Sequence, residues 1–273
     1  MLLWSFFPII SILASSTVPP LFTLAISTLI ATLFFGAMMS YQKTWHELKT
    51  PSTFKNVLLG TFFIVSFYCL VFIGLKQTTA GNASIILLME VFFSIVILEL
   101  WGKERMSRSH QSGALLMVAG AILVLFKGQN HLNPGDLIIL AATALPPMGN
   151  YYFQQARKQI GSVTILSIRS VLGGIAVLAL AMLIEPLPTL ANLSTSLPFL
   201  LINGFLLFGL SKILWLEAIH RIPITHAISL NSMTPAFTLI FAFLILGENP
   251  TLWQIIGLLP ILFGVRLLTK ADS

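Results

Sequence analysis

The chain has 273 residues, 56% of them hydrophobic and only 9% charged, against about 25% charged in an ordinary soluble domain. Together with a mean hydropathy of +0.93, this argues against a water-soluble globule, which must cover itself with polar groups. The formal net charge of +6 would suit nucleic acid if Lys and Arg clustered on one exposed face, but here they are dispersed between apolar runs, so the expected partner is a lipid bilayer.

Read between charges and turn residues, the apolar runs predict ten membrane spans, at 2–16, 20–40, 55–75, 82–101, 111–127, 136–157, 163–185, 198–219, 225–246 and 250–269. Each needs about 20 residues to cross ~30 Å of hydrocarbon, which leaves no room for a soluble domain. The first span is short, has no basic segment before it and is expected to be a retained helix rather than a cleaved signal. Pro8 lies near its middle and Trp4 near its start. The third span holds Tyr68, far from either end, and Cys69, the only cysteine, which excludes an internal disulfide.

Glu90 lies near the centre of the fourth span, about 12 Å from either end at ~1.5 Å per residue. An acid at that depth is expected to face a cavity, to pair or to be protonated. It is a candidate proton carrier or partner for a substrate amine, the alternative being a neutral acid hydrogen-bonded between helices. In the sixth span Pro146 and Pro147 mark a second interruption, the counterpart of Pro8. Proline frees carbonyls that only a protein-lined cavity can satisfy at membrane depth. Just beyond, Asn150 and Gln154, and likewise Tyr151 and Gln155, are four apart and place polar pairs on adjacent faces.

Arg169 in the seventh span is closer to an end and is expected to pair with Glu217 or with lipid phosphate rather than with a ligand. Lys212 in the eighth is a candidate cation for a substrate carboxylate, or a partner of Glu90, with Trp215 one turn later. Ser229 and Ser232 in the ninth are three apart and offer hydroxyls inward, unless they serve helix packing. Trp4, Tyr68, Tyr151 and Trp215 could stack on a substrate ring or cation, although Tyr and Trp also anchor membrane interfaces. The histidines His46, His110, His131, His220 and His226 have no ligand spacing. No metal, cofactor or catalytic arrangement is expected.

With ten spans, eleven of the fifteen Lys and Arg residues fall on the side of the termini and two, Lys76 and Lys127, on the other. Cytoplasmic loops retain basic residues, so both termini are expected in the cytoplasm. The chain also matches itself at an offset of 144 residues: Glu104, Gly113 and Gly120 coincide with Glu248, Gly257 and Gly264, and Ala83 and Met89 with Ala227 and Met233. Each half holds five spans, an odd number, so the second half enters the membrane from the opposite side. Inverted repeats of this kind tend to hold substrate at mid-depth where the halves meet, and alternating access is the natural mechanism.

The ten-span layout, the halves ending in Trp101–Ser107 (WGKERMS) and Leu246–Thr251 (LGENPT), and the stretches Leu3-Trp4, Val18–Pro20 and Ser232–Pro235 together resemble the EamA type of the drug/metabolite transporter superfamily. The halves are unequal: Val91 stands where the second half has Pro235, and an arginine frequent in the family's second span is matched only by Arg169. The resemblance implies a small-metabolite carrier, frequently an exporter of amino acids or related compounds, with a central cavity lined by both halves.

The expected fold is therefore all-α and integral to the membrane. Its ten transmembrane helices form two inverted five-helix repeats, 1–127 and 135–270, in one compact unit, multi-pass in the bacterial inner membrane. The expected function is secondary transport of a small polar or zwitterionic metabolite, with Glu90 as the candidate for proton coupling and a homodimer as one option for assembly. Two alternatives stand beside it: a carrier of a nucleotide-like or adenosyl solute, and a non-transporting scaffold or accessory subunit.

Overall fold

The computed structural model describes residues 2–50, 53–100, 107–126, 132–215 and 231–269. Among these, every regular element is helical, as lipid requires of a chain whose backbone groups must be satisfied internally. In chain order the helices are α1 (Leu2–Ser5), α2 (Phe7–Ala14), α3 (Pro20–Gln42), α4 (Phe54–Leu75), α5 (Ala80–Leu87), α6 (Met89–Leu100), α7 (Arg108–Phe126), α8 (Pro134–Ala142), α9 (Pro146–Ala156), α10 (Ser162–Ile184), α11 (Leu190–Leu201), α12 (Thr234–Leu246) and α13 (Leu252–Leu268). A 3-10 turn at Trp45–Lys49 follows α3, and the stretch Ile202–Leu210 continues α11 with π-type bonding. Among the described residues, six segments are long and apolar enough to cross a membrane: Pro20–Gln42, Phe54–Leu75, Ala80–Ile97, Arg108–Phe126, Ser162–Ile184 and Leu190–Trp215. The apolar helices α12 and α13 are shorter.

Helix starts follow from local chemistry. Asn133, Thr79, Thr189 and Thr251 accept the N–H groups of Gly135, Asn82, Asn192 and Gln254, and Gln254 returns the bond to Thr251 in a capping box. Two helices end in the left-handed region, α3 at Lys43 (φ 55°) and α12 at Gly247 (φ 69°). The helix of the eighth predicted span, α11, begins at Leu190, not at 198 as the apolar run suggests. Its first turns are polar in composition, but Ser194 and Thr195 donate to the Ala191 carbonyl at 2.8 and 3.0 Å, so their hydroxyls do not compete with the helix.

Helical continuity is lost at Phe6, at Leu88, at Thr143–Leu145 and at Ser232–Met233. Leu88 and Ser232 are 144 residues apart, so the breaks in the fourth and ninth predicted spans coincide under the sequence offset. Pro235 enforces the second of these breaks. The breaks in the first and sixth predicted spans, at Phe6 and Thr143–Leu145, do not coincide under that offset, since Phe6 would map onto Asn150.

The chain packs as two compact units, each drawn from both halves of the sequence. The first comprises Met1–Ile9, Gly74–Pro147 and Ala218–Ser273, the second Ile10–Ile73 and Met148–Glu217. In the first unit α7 and α13 cross on their glycines. A Cβ at Gly113 would stand 2.8 Å from the Gly264 carbonyl oxygen, and one at Gly120 would stand 2.5 Å from that of Gly257. The approach is reciprocal, 2.6 Å from Gly264 to the Gly113 oxygen and 2.8 Å from Gly257 to that of Gly120. An early residue of one helix meets a late residue of the other, so the two run antiparallel. Only residues without side chains permit such proximity.

Candidate functional site

In the second unit, α3, α4, α10 and the Ile202–Leu210 segment enclose a cavity of about 20 Å³, room for a water molecule but not for a metabolite. Leu24, Thr28, Tyr68, Arg169, Ser170 and Phe208 are among its walls, and among the described residues no acidic side chain is. Arg169, Gly173 and Val177 recur every four residues and so form one stripe of α10. A Cβ on Gly173 would stand 2.6 Å from Val65, which shows how closely α4 packs there. Tyr68 meets Phe208 edge-on, with ring centroids 5.0 Å apart and planes at 89°. Arg169 is 9% exposed and Ser170 1%. The Ser170 hydroxyl has no hydrogen-bond partner, and in the same unit the buried hydroxyls of Ser27 and Thr61 also have none. Among the described residues, no carboxylate faces the guanidinium.

The first unit holds a different arrangement, in which buried polar groups satisfy one another. Thr78 and Asn82 donate to the two carboxylate oxygens of Asp136, the latter at 3.0 Å, and Gln254 donates to the side-chain amide oxygen of Asn82 at 2.7 Å. Asp136, Asn82 and Gln254 are all buried. The chain of bonds ties together the starts of α5, α8 and α13, which a low-dielectric surrounding makes worthwhile only when every member is paired.

Three loop carboxylates sit on helix starts that belong to the other half of the sequence. Glu47 accepts from the Gly161 N–H at 2.7 Å and the Thr164 hydroxyl at 2.5 Å, at the start of α10. Glu185 accepts from the N–H groups of Leu21 at 3.0 Å and Phe22 at 3.1 Å, at the start of α3. Glu248 accepts from those of Ala80 at 3.1 Å and Gly81 at 3.3 Å, at the start of α5. Each satisfies donors that the helix cannot, at the positive end of its dipole. Glu104, equivalent to Glu248 at the 144-residue offset, lies outside the described residues.

The residues singled out from sequence divide between the units. Glu90, half-buried, opens α6 two residues after the break at Leu88, and its carbonyl accepts from Ser94 at 2.7 Å. Ser232 is buried at the equivalent break. Trp4 lies flat on Phe7, with centroids 4.5 Å apart and planes at 2°. Pro8 is buried within α2, and Pro146 and Pro147, also buried, open α9. These belong to the first unit. In the second unit Tyr68 lines the cavity beside Arg169, Lys212 and Trp215 are half-buried, and Asn150 is exposed. Tyr151 there stands edge-on to Tyr152 at 5.5 Å. Ser229 and Glu217 lie outside the described residues. Sequence reasoning gave no role to Asp136, Asn82 or Gln254, because pairings across 54 and 172 residues leave no local pattern.

A model of the EamA-like transporter family matches residues 1–126 and again 133–270. The chain belongs to the EamA-like transporter family. It is accordingly a multi-pass integral membrane protein of a transporter family, not an enzyme. It is 31% identical over 201 residues to an uncharacterized transporter of Methanothermobacter thermautotrophicus, an alignment covering 71% of this chain. The chain spans 58% of that relative's length. It is also 21% identical to the uncharacterized transporter YoaV of Bacillus subtilis, over 88% of this chain and 86% of the relative. A crystal structure of another protein, 17% identical, shares the fold with a TM-score of 0.70 and covers 98% of this chain and 94% of its own.

Proposed function

We propose that this EamA protein is a secondary transporter that carries a small polar or zwitterionic metabolite, an amino acid or a derivative, by alternating access. The reading takes residues 1–127 and 135–270 as two inverted halves in the bacterial inner membrane, with both termini in the cytoplasm. The reciprocal glycine seam of α7 and α13 carries it. Two helices equivalent under the 144-residue offset meet antiparallel on equivalent residues, so that each presents the same patch to the other. That is the contact expected of two-fold related elements and of halves with opposite orientation. The equivalent breaks at Leu88 and Ser232–Met233 support it. Glu90, beside the first break, is the residue assigned to proton coupling. Counterflow of labelled amino acids into proteoliposomes tests the function. Saturable, competed uptake is expected, and its absence for every amino acid and derivative supplied would overturn the reading.

A further inference from the structure

In the second unit, we infer that Arg169, the Ser170 hydroxyl and the wall made by Tyr68 form a subsite for the carboxylate of a small solute that carries one such group. The inference rests on the transporter reading and names the chemistry of what is carried.

Arg169 lies seven residues into the 23-residue helix α10, about 10 Å along its axis, and its side chain is buried at the cavity instead of extending into the surroundings. A cation in such a place is costly unless something compensates it. Among the described residues, the cavity walls offer hydroxyls and aromatic rings but no carboxylate. A carboxylate that enters the cavity would supply that counter-charge. A guanidinium presents a planar fork of donors that fits a carboxylate through two parallel bonds. Ser170, whose hydroxyl is buried and without a partner on the same wall, adds a third donor.

The charge balance also selects within the class. One guanidinium neutralises one negative charge, and the remaining walls include Leu24, Val177 and Phe208. A dicarboxylate or a phosphate dianion would bury a second charge against them. At about 20 Å³ the cavity is closed around, at most, a water, so a carboxylate enters only as the walls of this unit part. The edge-on Tyr68–Phe208 contact is the element to yield, since aromatic side chains can turn without breaking a hydrogen-bonded helix.

The test is thermal unfolding of the purified full-length protein in detergent, with sodium acetate, disodium succinate, disodium phosphate or sodium chloride at matched ionic strength. Acetate should raise the midpoint of the wild type by about 2–4 °C, as a ligand binding the folded state does, and should exceed succinate and phosphate. Arg169→Gln should abolish the acetate response and Arg169→Lys, which retains the charge without the fork, should reduce it. Ser170→Ala should weaken it too, and keeps the test open if the Arg169 variants fail to fold. No response of the wild type to acetate, or equal responses in wild type and Arg169→Gln, overturns the subsite. Proteoliposome counterflow separates this from the transporter reading. Flux of an amino acid that is indifferent to Arg169→Gln removes the subsite and leaves the transporter, whereas an Arg169-dependent acetate response without flux of any solute does the reverse.

Discussion

Replacing Gly120 by alanine tests the seam between α7 and α13 most directly. The new Cβ would stand 2.5 Å from the Gly257 carbonyl oxygen and 2.6 Å from Ile261 Cγ1, where ordinary contact begins at 3.4 Å. The shortfall against backbone is thus about 0.9 Å, and a carbonyl oxygen within a helix cannot swing aside as a side-chain end can. The helices must separate, loosening the equally close crossing of Gly113 and Gly264. Forced overpacking of this kind costs about 1–3 kcal/mol. Against it stands the gain of about 0.5–1 kcal/mol from removing a glycine from a helix interior. Gly36 of α3 supplies the control, because a Cβ there meets nothing within 4 Å. Gly36→Ala should therefore show the gain alone, and the difference between the two variants isolates the steric cost at about 1–3 kcal/mol. Reversible unfolding in mixed micelles, followed by tryptophan fluorescence, measures both. A Gly120→Ala protein as stable as Gly36→Ala would refute the claim that backbone proximity holds this seam. Gly120→Ala and Gly257→Ala together should cost less than their sum, since the first already opens the crossing that the second needs.

Other substitutions probe the polar parts. Glu185→Gln keeps an acceptor for Leu21 and Phe22 but removes the charge from the start of α3, where Pro20 supplies no N–H; a loss of about 1–2 kcal/mol is expected in the same unfolding assay. An unchanged midpoint would show that the carboxylate is bound too loosely to matter. Asn82→Ala leaves the Gln254 NH2 with only a 3.4 Å bond to the Thr79 hydroxyl and removes a donor from one Asp136 oxygen in a buried site, and should cost about 1–3 kcal/mol; a loss as small as that of an exposed substitution would mean water replaces the amide. Glu90→Gln should flatten the dependence of counterflow on external pH, and counterflow that keeps its wild-type pH profile would remove Glu90 from proton coupling.

The membrane class and the helical fold were legible because they depend on composition and run length, which each segment carries by itself. The 144-residue offset was legible too, because Gly113, Gly120, Gly257 and Gly264 are sparse markers in a chain that is otherwise uniformly apolar. Uniform apolarity is also what hid the rest. A helix that is hydrophobic all round has no polar stripe to say which side faces its neighbours, so nothing in the seventh span distinguished an Arg169 directed at a cavity from one directed at lipid. The start of the eighth helix was misjudged for a related reason. Its polar residues look like a loop until their hydroxyls are seen to fold back on the helix carbonyls. The break at Leu88 has no proline or glycine to announce it. Only its equivalence to Ser232, next to Pro235, makes it readable after the fact.

The distribution of acids links these observations to the carboxylate subsite. The chain has nine Asp and Glu residues in all, and four of the described ones are already committed to donors of the protein itself. Glu47, Glu185 and Glu248 sit on helix starts, and Asp136 is held by Thr78 and Asn82. Each of these groups stabilises the joints of a bundle, and moving one toward Arg169 would expose the backbone N–H groups or buried amides it now satisfies. None of these four carboxylates is hydrogen-bonded to Arg169, which is itself buried. Were Arg169 merely structural, an acid introduced at Thr28, in the wall of the same cavity, should neutralise the charge and stabilise the protein. If Arg169 instead awaits a carboxylate from the solute, Thr28→Asp should still fold but should occupy the site with the protein's own carboxylate and remove the response to acetate. A Thr28→Asp protein that retains the full acetate response would show that the anion binds elsewhere.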